Sequence, residues 1–340
     1  MTRTQLDLAR TQILAHRRRA SALDERLPGG AGSLRQAAWA GLQDSMPRAA
    51  LLSIHARVAG TRPSTWEDPA LVQVWGPRFS AYVISAEDVA PFTLGRMPDD
   101  AKARQRAEDA AARLHAFLDG RRLRYGEAGR GLGRNPNSLR YGTTTGTILI
   151  RWDGARQPTV WTVPRSGIDA FEARLELARR YLRVFGPATS AAFAKWAGIK
   201  PPRGRAAFDA LGESLTTVGT PIGEASILAA DEPSFTASPR PVGGARLLPS
   251  GDTYFLLWGA DRELLVPEAH LRATLWTTRV WPGAVLLDGE IAGTWRRAES
   301  DVSIEAWRPL SPAERGIVEA EAAALPLPDL RRTIEVRWLE

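Results

Sequence analysis

The 340-residue sequence contains no cysteine and only three lysines, Lys102, Lys195 and Lys200. The first absence excludes disulfides, thiol nucleophiles and thiolate metal sites. Histidine is almost as scarce: His16, His55, His115 and His270 stand far apart, without the paired spacing of a metal site. Neither a metal nor a cofactor is expected. No stretch approaches the roughly 18 apolar residues that cross a bilayer, and the start "MTRTQLDLARTQILAHRRRA" has no apolar signal core. These features suggest a cytoplasmic protein with no membrane partner. With so little lysine, the net charge of +7 and the pI near 10.3 rest on arginine. Arginine suits bidentate contacts to phosphate, so a polyanionic partner fits, although the same charges can simply solvate a surface.

The length suggests two to four units. Leu6, Ala9, Ile13 and His16 recur at helical spacing, and "LRQAAWAGL" (34–42) is predicted as a second helix. A third helix is predicted to start at Pro47 and to bury Leu51, Ile54 and Val58. "LVQVW" and "RFSAYVI" then have strand composition. Three helices and a strand pair is the order of a winged helix, and the order recurs from Ser85 to a hairpin at about 147–163. It appears most clearly from Ser166, where Ser166 and Asp169 begin a long amphipathic helix. There "GPATSAAFAKWAGI" and "PPRGRAAFDALGESL" form a helix-turn-helix before "LTTV" and "EASIL". After the turn-rich linker 231–244, short strands, a helix from Ser311 and a final strand "TIEVRWL" close the chain. The expected fold is α+β: three tandem winged-helix domains (1–84, 85–165, 166–230), then a β-rich, barrel-like C-terminal domain (231–340).

Five segments in this order, "AGLQDSMPRAALLSIHARV", "VWGPRFSAYVISAEDV", "RYLRVFGPATSAAFAKWAGI", "RLLPSGDTYFLLWGADR" and "DGEIAGTWRR", resemble motifs of the AlkZ-like (YcaQ-like) winged-helix DNA glycosylases. The resemblance implies a shell around duplex DNA and monofunctional base excision of N7-alkylated or bulky-adducted, even crosslinked, purines. It also implies a monomer working at the nucleoid, without metal. The family's catalytic pattern is Gln, an apolar residue, then Gln or Asp. Here those places fall on Gln43, Asp44 and Ser45, so this chain departs from the pattern at the second and third positions.

An N7-alkylated purine is already cationic and leaves readily, so the chemistry needs an oriented water and some negative charge or dipole near the sugar. Gln43 can supply one amide; Ser45 is shorter than the Gln it replaces, and Asp44 contributes only if it turns inward. Asp44 or Ser45 can equally cap the third helix. Arg78 falls on the family's Arg, and Tyr82 stands where the family has His. Arg48, Arg57, Arg78, Tyr82, Arg165, Lys195, Arg203 and Arg205 are the expected DNA contacts, each with an alternative as a packed or solvated side chain. Asp252, Tyr254 and Arg262 read as architectural. Two further functions stay open: a non-catalytic winged-helix DNA-binding protein that lost its chemistry with the second Gln, and a protein-interaction scaffold.

Overall fold

A computed structural model describes residues 6–154, 156–238, 242–328 and 332–339; positions 239–241 of the expected linker lie outside them. Three sheets organise the chain. The first consists of Leu6–Asp7 (β1), Leu215–Thr220 (β8) and Gly223–Leu228 (β9), in the order β1-β8-β9. The second contains Leu42–Gln43 (β2), Leu71–Trp75 (β3), Ala81–Ser85 (β4), Leu123–Arg124 (β5), Ile148–Arg151 (β6) and Thr159–Thr162 (β7). Its order is β2-β4-β3-β6-β7-β5. The third runs from Ala245–Leu248 (β10) through Gly283–Leu287 (β11), Glu290–Ala298 (β12) and Asp301–Ala306 (β13) to Glu335–Leu339 (β14), in sequence order.

Mixed helix and sheet is therefore the observed class, but two pairings join segments expected to be separate. β1 runs parallel to β8, tying the N-terminus to the hairpin near residue 220, where a helix was expected at Leu6. β3 meets β6 through Gln73 and Ile150, so one sheet crosses the expected boundary between residues 84 and 85. The physical reason is burial: β3 reads "LVQVW" with Leu71, Gln73, Val74 and Trp75 all buried, and such a strand needs a neighbour on each side. One apolar cluster likewise includes Leu14, Tyr82, Phe92, Tyr181, Trp196, Phe255 and Leu286, so it draws buried residues from all four expected units.

The helices expected on either side of Gly198 form, as does the longer helix before them. Asp169 caps the helix Ala170–Phe185, its carboxylate accepting from the Phe171 and Glu172 amides. Helix Ser190–Ala197 ends on Gly198, and Pro201–Leu211 follows after a tight turn, ahead of the β8–β9 hairpin. The corner near residue 43 differs from expectation. Its helix covers Ala31–Ala37 and stops before Leu42, which enters β2 opposite Val83. The next helix, Ala49–Arg57, starts two residues after Pro47, with Arg48 in a left-handed conformation at its N-cap. No helix among the described residues is long and apolar enough to cross a membrane.

Candidate active site

Gln43 ends the edge strand β2 directly opposite Tyr82 of β4, and the Asp44 amide continues the ladder by donating to the Ala81 carbonyl at 2.8 Å. Because strand side chains alternate, Gln43 and Asp44 point to opposite faces. Asp44 is buried and Ser45 exposed, with Gln43 half-buried between them. Gln43 donates from Nε2 to Ser45 Oγ at 3.0 Å. Its Oε1 accepts from Arg78 Nη2 at 3.2 Å and from the Tyr82 hydroxyl at 3.4 Å. The amide orientation is thus fixed from both ends. Tyr82 is fully buried, and burial pushes its phenol pKa up, so it meets Gln43 as a neutral donor.

Arg78 sits in the turn between β3 and β4 with a left-handed φ of 54°. It donates to the Trp196 carbonyl at 3.0 Å and lies 4.5 Å over the Trp258 ring, which ties the corner to the helix-turn-helix segment and the C-terminal unit. Two glycine turns close on the corner. Gly154, with φ of 82°, brings the β6–β7 turn so near that a Cβ would lie 2.7 Å from the Pro47 Cα. Gly251, with φ of 76°, abuts the Gln43 amide, where a Cβ would stand 3.3 Å from Nε2. Only glycine adopts both turns without strain.

Asp44 faces inward. Oδ1 accepts from the Ala50 amide at 3.0 Å and Oδ2 from Gln73 Nε2 at 2.6 Å. Burial raises its pKa from 3.8 to about 6, against opposing contributions from the Ala50 amide, Arg48 and Gln73. Of the two anticipated caps, Asp44 rather than Ser45 supplies the acceptor for the Ala49–Arg57 helix, from outside its N-cap position. Gln73, a polar residue in the middle of an apolar strand, escaped the sequence reading although "LVQVW" displays it. Its Oε1 accepts from the Trp152 amide at 2.6 Å, so it links Asp44 to the β6–β7 turn.

The expected DNA contacts divide into several groups. Arg57 corrects the sequence reading: it is 2% exposed and makes a two-pronged pair with Asp252 at 2.7 Å, while Ser53 donates to the same carboxylate at 2.6 Å. A guanidinium so enclosed presents no N–H to a phosphate. Asp252 is architectural, as expected, and so is Arg262, which donates to the Leu257 carbonyl. Tyr82 lies beneath Gln43 rather than at a surface. Arg203 points back to Asp99 at 2.7 Å and to the Met97 carbonyl, with its side chain 12% exposed. Arg48 stacks 4.4 Å over Trp66, whose ring also holds Arg151 at 3.7 Å. Lys195 and Arg205 are exposed, and Arg165 is exposed with Glu108 at 4.0 Å. His55 is buried, which lowers its pKa to about 4 and keeps it neutral.

The solved structure of Streptomyces sahachiroi DNA glycosylase AlkZ matches with a TM-score of 0.78 over 98% of this chain and 100% of that one, at 19% identity. A family model described as DNA glycosylase AlkZ-like matches residues 37–326, and the chain belongs to that family, as the five motifs implied. The interstrand DNA cross-link repair glycosylase of Streptomyces sahachiroi is 32% identical over 161 residues. That match takes in 45% of this chain and 42% of the relative, less than half the length of either.

Proposed function

We propose that this protein is a monofunctional DNA glycosylase that hydrolyses the N-glycosidic bond of N7-alkylated or bulky-adducted purines in duplex DNA. In this reading three tandem winged helices and the β-rich C-terminal unit grip the duplex, with the corner Gln43–Ser45 facing the target sugar. The cross-link activity in the name of the Streptomyces relative supports extending the substrate class to crosslinked purines.

The observation that carries the reading is the Gln43–Ser45 hydrogen bond, which leaves an oriented hydroxyl exposed beside a clamped amide. Ser45 Oγ receives the Gln43 N–H, so its own O–H and remaining lone pair are free to order a water. That water attacks C1′ as the bond from C1′ to the purine nitrogen breaks. The bonding pair neutralises the cationic purine, which leaves, and the water's proton passes to solvent. No strong general acid is required, because alkylation has already placed the positive charge on the leaving group. Asp44 is a positioning residue in this scheme: both its oxygens are engaged inside the fold, and it holds the helix and the β6–β7 turn against the corner.

Incubating the protein with a duplex containing N7-methylguanine, then heating in alkali, tests the reading through strand breaks at the lesion. Wild-type protein is expected to release the base, and Gln43→Ala to lower the single-turnover rate at least about 100-fold by removing a preorganised dipole. Absence of release above the Gln43→Ala control, on both simple and crosslinked adducts, defeats it. Duplex binding without release would match the non-catalytic alternative.

A further inference from the structure

A cavity of about 570 Å³ opens beside Ser45. Its walls are built on Trp75, Tyr125 and Trp152, with Arg78, Arg140 and Arg156 among them, and no described lining residue is Asp or Glu. The Arg140 guanidinium lies 5.8 Å from the ring centres of both Trp75 and Tyr125. Its Nε is buried without a hydrogen-bond partner. A buried cationic N–H lacking an acceptor is costly, and three guanidiniums around one space repel each other unless an anion enters. The cavity therefore selects negative charge. A cationic N7-alkylpurine is a poor occupant, whereas the phosphodiester of the same nucleotide is a good one.

Within Gln43–Ser45 itself no carboxylate faces outward. Asp44, the nearest carboxylate in sequence, is turned inward and engaged by Ala50 and Gln73, and Ser45 is neutral. An oxocarbenium-like sugar nevertheless requires negative charge close by. We propose that Arg140 and Arg156 clamp a phosphodiester flanking the target deoxyribose in this cavity, and that this phosphate supplies the negative charge facing the reacting sugar. The inference rests on the glycosylase reading above and names a second point at which that site grips its substrate. Arg78 bridges the two, touching Gln43 at one end while lining the cavity.

The test uses duplexes with a tetrahydrofuran abasic nucleotide, with either native linkages or one neutral methylphosphonate placed at its 5′ or 3′ side. Fluorescence anisotropy compares wild type with Arg140→Met and Arg156→Ala. Each variant is expected to weaken the native duplex about tenfold, as loss of one phosphate contact does. The methylphosphonate at the clamped linkage should weaken wild type by a similar factor and leave the variants no weaker still, the non-additivity expected of two groups in contact. Effects that add in full at both linkages, or variants that bind like wild type, overturn the clamp. Arg156 lies exposed on the β6–β7 turn, so its variant keeps the test readable if Arg140→Met disturbs the packing on Trp75 and Tyr125. On N7-methylguanine duplex, in single turnover with protein in saturating excess so that weaker binding is compensated, the same methylphosphonate should lower the rate of base release; an unchanged saturated rate overturns the electrostatic role. Failure of the glycosylase reading is visible separately, as absence of base release from the native-linkage duplex, while anisotropy still reports on the cavity.

Discussion

At the residue scale, one consequence of strand geometry decides what each part of "QDS" can do. β2 extends the backbone, so Gln43 and Asp44 face opposite ways, and the Asp44 carboxyl, standing at the apolar place of the family pattern, is buried. Its titration gives a measurable signature. Burial lifts the Asp44 pKa to about 6 from 3.8. Between those values the folded state holds a proton that the unfolded chain has released, so stability falls as pH rises. The contribution is complete below the unfolded value and lost above the folded one, amounting to about 3 kcal/mol across the window. Denaturant unfolding of wild type and Asp44→Asn at intervals from about pH 4 to 7 should show their stability difference changing through this window. A difference that stays constant with pH contradicts the buried carboxyl. The identity of Gln43 and the departure at Ser45 were legible from sequence; the inward turn of Asp44 and the role of Gln73 were not, because both depend on which face of β2 meets the core.

At the element scale, the same limit applies to helices and ion pairs. "LRQAAWAGL" has helical composition throughout, yet Leu42 leaves the helix to pair with Val83, a case of tertiary pairing overriding local propensity. Arg57 occupies the polar edge of an apparently amphipathic helix and read as a phosphate ligand. A carboxylate 195 residues away in sequence closes over it. Removing one partner of such a buried pair leaves an uncompensated charge, so Arg57→Met should cost about 3–5 kcal/mol in urea unfolding. The double variant Arg57→Met with Asp252→Leu should recover part of that loss. An Arg57→Met protein as stable as wild type would show that the helix Ala49–Arg57 and the C-terminal unit do not depend on this pair. The helices around Gly198 were easier to read, because their caps and Gly/Pro stops are local signals.

At the scale of the whole molecule, the four expected units are not independent bodies. β1 completes the sheet of β8 and β9, β3 joins β6, and one apolar cluster draws buried residues from all four. Residues 1–84 expressed alone would therefore expose an unpaired β1 and one open side of β3. That fragment should lack a cooperative thermal transition by circular dichroism, while the full chain shows one; a fragment with a sharp transition of its own would contradict the shared core.

By itself, the sequence determined the periodicity of the main helices, the hairpins, the helix-turn-helix stops, the arginine-borne charge and the ordered motifs that mark the family. Each of these is written in neighbouring residues, through spacing, capping and turn chemistry. Only the tertiary structure decided that Asp44 turns inward, that Arg57 is sealed by Asp252, and that a cavity free of carboxylates adjoins Ser45 among the described residues. Those outcomes depend on pairings between segments tens to hundreds of residues apart, whose register follows from burying both faces of a shared sheet.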